Sequence, residues 1–162
     1  MSTVKLMEGV LFIAAMLSGF YAGTGFFVAI GGNPAIRLMS NRTFAEYWQH
    51  TDHYMAARMK IFGPMLLGVL LLAVGILVKE YHKLPFWLML TGLGILLADI
   101  VFTVSTNHPL NRRVQAWNLD NLPSDVQDIK GKIVSAFNRR IFFMISSFIM
   151  VLLSVWMHNA AI

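Results

Sequence analysis

The chain contains no cysteine and carries little charge. Without cysteine there is no disulfide framework and no thiolate metal site, which excludes the small disulfide-stabilised secreted domains. Charged residues make up only 13% of the 162 residues. A soluble domain usually carries roughly one quarter. The chain also shows no clear internal repeat and no low-complexity segment. These absences argue against an ordinary soluble domain, a repeat protein or a disordered one.

Apolar residues dominate what is present, at 57% of the chain, and the mean hydropathy is positive. About 20 apolar residues are needed to cross the hydrocarbon core of a bilayer. The first apolar run follows Lys5, contains Glu8 and lacks a small-x-small cleavage site, so we expect a span and not a secretory signal. We predict a single integral membrane domain with four spans, at about residues 7–30, 61–78, 85–105 and 141–157.

The second and fourth runs are short for a bilayer, but each follows a polar segment with a helix start signal. Thr43 and Glu46 have the spacing of a capping box, and Ser124 and Gln127 form another just after Pro123. These signals predict helices over about residues 44–79 and 125–158. The fold class is therefore all-α: a four-helix transmembrane bundle with helices 2 and 4 extended beyond the bilayer on one side.

An even number of spans places both termini on one side of the membrane, here named side A, and the opposite side is side B. Side A carries three basic residues and side B carries ten, which are Arg37, Arg42, Arg58, Lys60, Arg112, Arg113, Lys130, Lys132, Arg139 and Arg140. The positive-inside bias predicts a cell-membrane protein with residues 32–60 and 106–138 in the cytoplasm. Because topology accounts for the basic residues, we expect no binding of nucleic acid.

Small residues mark where membrane helices pack closely. The first span contains a GxxxG pattern at Gly19 and Gly23. This pattern is compatible with packing inside one bundle and with a face for a homo-oligomer, and the sequence does not choose between them.

Asp99 is the one acidic residue well inside a predicted span. A charge at this depth costs about 2.5–3.5 kcal/mol on insertion scales, so such residues face the bundle interior and often mark a site. The alternative is a structural role, in which Asp99 fixes helix packing by bonding to Tyr21, Thr24 or Thr103.

Three histidines lie on side B. His50 and His53 share one face of the second helix's extension, and His108 follows the third span. Together with Glu46 they form a candidate site for a transition metal or haem. The alternative is that these side chains bond to water or backbone at the interface. The sequence leaves the cofactor unknown: none, a transition metal or haem.

The stretch 106–113 has the most distinctive composition, with two asparagines, a histidine and two arginines around Pro109. Amides supply fixed donors and acceptors for a polar organic group, and a histidine can serve as a general base near neutral pH. A plainer interpretation is an interfacial helix cap whose arginines contact the phosphates of membrane lipids.

This stretch resembles the Asn-x-Pro-Leu-Asn motif of the anthrone oxygenase-like family of small four-span membrane proteins, matched by Asn107, Pro109, Leu110 and Asn111. The resemblance extends to Asn33-Pro34 after the first span and to residues 137–140 before the fourth, with Phe137 where the family usually has Trp. It implies a four-span fold and the oxidation of a lipophilic aromatic molecule by molecular oxygen without a tightly bound cofactor. It assigns no role to His50, His53 or His108.

The leading hypothesis is a membrane-embedded oxidoreductase or oxygenase acting on a lipophilic, polyketide-like small molecule that enters from the bilayer. His108 is the candidate general base, and Asn107, Asn111 and Asn138 are candidates to hold an enolate or phenolate oxygen. Arginines would stabilise its negative charge. Asp99 and Arg139 are further candidate catalytic residues. The candidate substrate-binding residues are Arg112, Trp117, Arg140 and Tyr21.

Two alternatives stay open. The first is a metal- or haem-binding redox protein that uses His50, His53 and His108. The second is a membrane binding or accessory subunit without enzymatic activity, whose side-B extensions dock a partner.

Overall fold

The computed structural model describes the backbone of residues 3–160 and the side chains of residues 5–160. The elements in this part of the chain are all helical, and four helices are long and apolar enough to cross a membrane. The predicted four-helix transmembrane bundle is confirmed.

Each half of the chain contains a spanning helix, a π turn, a short helix and a second spanning helix, in that order, and a 3₁₀ turn joins the two halves. The elements are α1 (Thr3–Phe27), a π turn (Val28–Gly32), α2 (Asn33–Leu38), α3 (Asn41–Leu77), a 3₁₀ turn (Val78–Glu80), α4 (Leu84–Phe102), a second π turn (Thr103–Asn107), α5 (His108–Gln115) and α6 (Val126–Ala160).

Helices α3 and α6 are longer than a bilayer requires. They contain 37 and 35 residues. At 1.5 Å per residue they measure about 55 and 52 Å, against a hydrocarbon core of about 30 Å. Their apolar parts lie at the ends towards side A, so both helices extend beyond the bilayer on side B, as predicted.

The predicted capping box at Thr43 is wrong. Helix α3 begins at Asn41, and Ser40 is its N-cap, with the Ser40 hydroxyl accepting from the Thr43 amide at 3.2 Å. Glu46 accepts from Arg42 one turn earlier instead of capping the helix. An exposed serine three residues before Thr43 offers the same hydroxyl acceptor, and spacing alone does not decide between them.

Each π turn lies directly before a short helix whose second residue is proline, Pro34 in α2 and Pro109 in α5. Proline has no backbone N–H, so it cannot continue the hydrogen-bond ladder of the span that precedes it. The ladder widens instead, as in the bond from the His108 amide to the Thr103 carbonyl. The structure thus repeats an order of elements that the sequence does not reveal as a repeat.

The two halves of the chain exchange contacts on side B. Helix α2 of the first half packs against α6, and α5 of the second half packs against α3. This arrangement encloses a second hydrophobic cluster outside the spans, here named the cap core, formed by Ile36, Phe44, Trp48, Val114, Val126, Ile129, Ile133 and Val134.

The spans enclose their own cluster, here named the bundle core. It contains Leu11, Ala14, Leu17, Leu66, Leu70, Ala73, Leu77, Phe86, Met89, Leu93, Leu96 and Val151. Glycines allow close packing around it: a Cβ at Gly92 would lie 2.9 Å from Val151 Cγ2, and one at Gly19 would lie 3.2 Å from the Phe148 ring. Gly19 therefore packs on α6 within the chain, whereas Gly23 faces open space. A homo-oligomer through this pattern stays a prediction.

Candidate functional site

Three polar side chains from three different spans meet inside the bundle: Tyr21 of α1, Asp99 of α4 and Arg140 of α6. Asp99 is completely buried, and the Arg140 side chain is 13% exposed. Arg140 Nε donates to Asp99 Oδ1 at 3.0 Å, and Arg140 Nη2 donates to Asp99 Oδ2 at 3.1 Å. We name this group the intramembrane triad.

Tyr21 closes the triad with two hydrogen bonds. Its hydroxyl donates to Asp99 Oδ2 and accepts from Arg140 Nη2 at 2.8 Å. The fork of the guanidinium matches the two carboxylate oxygens, which is the strongest geometry for such a pair. Together the two charged groups are formally neutral, which lowers the cost of placing either of them between apolar helices.

The triad lies where the bundle core and the cap core meet. Leu96, one turn before Asp99, belongs to the bundle core, and Phe137, one turn before Arg140, packs against the cap core. The guanidinium carbon of Arg140 lies 5.5 Å from the centre of the Phe137 ring, within the range of a cation–π contact. The hydrogen bonds of Arg140 to the described residues come from its Nε and Nη2 groups, and none comes from Nη1.

The polar residues between the triad and side B differ in how well they are satisfied. Asn107 is 2% exposed and Thr103 is partly buried. Within residues 5–160, neither the Asn107 Oδ1 atom nor the Thr103 Oγ1 atom has a hydrogen-bond partner. Asn107 is thus the only one of the three candidate asparagines with an unpaired buried acceptor in this part of the chain.

Asn111 belongs to a network that joins α5 to α3. It accepts from Trp48 Nε1 at 3.2 Å and donates to Asp52 Oδ1. Gln115 donates to the other Asp52 oxygen at 3.1 Å, and Gln49 donates to the Val114 and Trp117 carbonyls at 2.9 and 3.0 Å. We name Gln49, Asp52, Asn111 and Gln115 the amide cluster.

Asn138 contacts Asn33, whose amide donates to Asn138 Oδ1 at 2.6 Å. This bond joins α6 to the start of α2. Asn111 and Asn138 therefore each hold one short helix against a long one, and the structure does not bring them together with His108 around one point.

The histidines do not converge on a metal site. His50, His53 and His108 are exposed. A search of the described residues finds no group of three or more His, Cys, Asp or Glu side chains that could hold a metal ion. His53 makes an edge contact with the Tyr54 ring at 5.2 Å. The spacing of His50 and His53 placed them on one helix face, but that face looks outward.

The remaining candidates divide between surface and interior. Arg112 and Arg139 are exposed and make no ion pair with any described residue. Trp117 packs at the edge of the cap core, 6.4 Å from the Phe44 ring. Of the residues predicted to bind substrate, only Tyr21 and Arg140 lie within the triad.

A groove with an apolar lining lies between α4 and α6, and Tyr21, Asp99 and Arg140 are not among its lining residues. Its volume is about 580 Å³, and its lining residues are Thr91, Gly94, Ile95, Ala98, Phe142, Phe143 and Ser146. Ala98 precedes Asp99, and Phe143 follows Arg140 by one turn. Gly94 leaves the floor open, because no atom lies within 4 Å of where its Cβ would be.

The sequence interpretation did not predict two contacts. Arg140 was counted with the basic residues of side B and named as a candidate to bind substrate, but it was not predicted to pair with Asp99. It directly precedes the fourth apolar run. That position at the span boundary, together with an acidic residue inside another span, is the signal that pairs Asp99 with Arg140. Asp52 was not singled out, because an acid on an extramembrane helix carries no special pattern.

Comparison with family models, with curated proteins and with solved structures found no match for this chain. The fold and the triad therefore carry the functional argument.

Proposed function

We propose that this protein is a membrane-embedded oxidoreductase of the oxygenase type that acts on a lipophilic aromatic molecule at the intramembrane triad. The observation that carries the proposal is the guanidinium of Arg140, held inside the bundle by Asp99 and Tyr21 with no hydrogen bond from its Nη1 group to the described residues. Ionisable residues inside membrane spans are costly and usually mark a functional site.

The triad suits a substrate with a weakly acidic oxygen, such as a phenol or an enol. The Nη1 donors would bind that oxygen and stabilise its negative charge as it develops. Such stabilisation is strong here because the surroundings are apolar and the donors are already oriented by Asp99. The groove between α4 and α6 would hold the apolar rings and would admit the molecule laterally from the bilayer.

The resemblance of residues 107–111 to the anthrone oxygenase-like motif supports an anthrone as the substrate class. In that reaction the ring CH₂ group becomes a carbonyl, one oxygen atom of O₂ enters the product as that carbonyl, and the other leaves as water with the two hydrogens. Molecular oxygen is the oxidant, and the anthrone is oxidised to an anthraquinone. Loss of a CH₂ proton would generate the anion that Arg140 stabilises.

The test compares two adjacent arginines. Purified protein in lipid vesicles is given a lipophilic anthrone, and oxygen uptake and quinone formation are measured against vesicles without protein. Arg140→Lys keeps a positive charge beside Asp99 but removes the Nη1 donors, so we expect turnover to fall by about 100-fold or more. Arg139→Lys changes the exposed neighbour in the same way and should leave turnover unchanged.

Equal rates in the two lysine variants would rule out the triad as the site. His108→Ala separates the sequence-based hypothesis from this one: loss of turnover there, with Arg140→Lys active, would place the reaction at α5. A protein that retains the anthrone through purification but does not oxidise it would instead be a binding protein for such molecules. The fully buried Asp99, already paired by Arg140 and Tyr21, favours that second candidate.

A further inference from the structure

The helix face that carries Asp99 continues as a polar stripe towards side B. In an α-helix a step of four residues overshoots a full turn by about 40°, since each residue turns the helix by about 100°. A four-residue step within a π turn falls short of a full turn, because each hydrogen-bonded ring contains one more residue. The step from Asp99 to Thr103 and the step through the π turn to Asn107 therefore compensate, and the three residues lie along one line.

This line carries acceptors that the protein itself leaves unpaired. Thr103 Oγ1 and Asn107 Oδ1 are buried and have no partner within the described chain. Pro109 has no backbone N–H, so one carbonyl of the preceding turn lacks its usual hydrogen-bond donor. A buried polar atom without a partner costs about 1–3 kcal/mol, and native proteins usually satisfy such atoms with ordered water. A buried water needs two to four polar partners, and this stripe offers them in sequence.

We infer that water enters the bundle from side B along the second π turn and reaches the carboxylate of Asp99. The distance along the helix from Asn107 to Asp99 is about 12 Å at 1.5 Å per residue. Thr103 lies halfway, so no gap between neighbouring polar groups exceeds one or two waters. The inlet gives the triad a route for exchanging protons with the aqueous phase on side B.

The route is closed towards side A. Leu96, one turn from Asp99 on that side, is 3% exposed, and Leu93 and Met89 continue the bundle core beyond it. On α1, Ser18 Oγ is also buried and has no partner in the described chain, but Leu11 and Ala14 on its side-A flank are fully buried.

The absence of native cysteine makes this inlet directly testable, because a single introduced thiol is the only one in the protein. The variants Thr103→Cys and Asn107→Cys place a thiol on the stripe. Val101→Cys is the matched control on α4, because Val101 is 67% exposed on the bundle's lipid-facing surface. The probes are a membrane-impermeant charged thiosulfonate and the small ion Ag⁺, each added to side A or side B of oriented vesicles.

Only a thiolate in contact with water reacts with these probes, because burial among apolar groups holds a thiol protonated. We expect Thr103→Cys and Asn107→Cys to react about tenfold or more faster than Val101→Cys, and from side B only. A lipid-soluble maleimide should mark Val101→Cys and so prove that this thiol is present and reactive.

Reaction of the two stripe thiols at the rate of Val101→Cys would overturn the inlet, and so would equal reaction from side A. A measurement on the unaltered chain guards against misfolded variants: amide hydrogen exchange in vesicles should be faster over residues 103–107 than over residues 91–98. Neither experiment uses a substrate, so the inlet stands or falls independently of the proposed oxygenase reaction.

Discussion

The intramembrane triad and the amide cluster on side B hold helices together with similar hydrogen bonds in two different solvents. In the triad, the Asp99 carboxylate is fully buried between spans and is neutralised by Arg140. In the amide cluster, Asp52 is partly exposed and is bound by the neutral amides of Asn111 and Gln115. A carboxylate near water needs only hydrogen bonds, whereas one between spans needs an opposite charge as well.

The difference also explains why the two regions use different residue types. Water beside the amide cluster can replace a lost partner of Asp52, so neutral amides suffice there and no arginine is needed. In the triad the partner is itself a charge, so its loss leaves the other charge buried without a counter-charge. The loss of unfolding free energy should therefore differ more between the two regions when a variant removes a charge than when it removes a hydrogen bond.

Asp99→Ala should produce the largest effect, because it leaves the Arg140 guanidinium buried without a counter-charge. We expect the free energy of unfolding, measured by denaturant titration in mixed micelles, to fall by about 3–5 kcal/mol. The double variant Asp99→Leu with Arg140→Leu removes both charges and should recover most of that loss. If the double variant is less stable than Asp99→Ala, the triad does not act as a compensated pair.

Asn111→Ala should have the next largest effect, because it removes the acceptor of Trp48 Nε1 and the donor to Asp52 in one change. We expect a loss of about 1–3 kcal/mol in the same titration, since both partners are left partly buried. Asn121→Ala, an exposed loop position, is the matched control and should change stability very little. A loss at Asn111 as large as that at Asp99 would contradict the distinction between the two solvents.

Tyr21→Phe should have a smaller effect, although it acts within the triad. The substitution keeps the ring and removes the hydroxyl that donates to Asp99 and accepts from Arg140. Hydrogen bonds between membrane helices average about 0.6 kcal/mol and reach about 1.7 kcal/mol, so we expect a loss in that range. A loss comparable to that of Asp99→Ala would mean that the hydroxyl, and not the charge, holds the triad together.

The sequence predicted the bundle well because lipid restricts the backbone to helices of a fixed minimum length. It also offered Tyr21 as one of three possible partners of Asp99, and that hydrogen bond is present. It did not reveal Arg140 as the partner, because pairing across spans depends on helix rotation, which apolar runs do not determine. The two π turns were equally hidden. Pro34 and Pro109 indicated an interruption of the helix. A proline precedes or follows both a π turn and a helix end, so it does not tell the two apart.

The structure lends no support to the metal hypothesis, for a related reason. Spacing places His50 and His53 on one face of α3, but it does not say whether that face looks inward. The apolar residues of the cap, Phe44 and Trp48 among them, occupy the inward face and leave the histidines outside. Burial of large aromatic residues outweighs any preference of an imidazole, which is satisfied by water at no cost.

Lys132→Ala should give the smallest loss of stability, because its ion pair lies in water. Lys132 donates to Asp128 at 2.6 Å, one turn away on α6, and both side chains are more than half exposed. Exposed pairs at this spacing contribute about 0.3–0.5 kcal/mol and are screened by salt, so we expect a loss of that size that disappears at high ionic strength. The Asp99→Ala loss should persist at the same ionic strength, because the Asp99–Arg140 pair is buried and salt screens buried pairs much less than exposed ones. A salt-insensitive loss at Lys132, or a salt-sensitive one at Asp99, would show that depth in the membrane does not set the strength of these pairs.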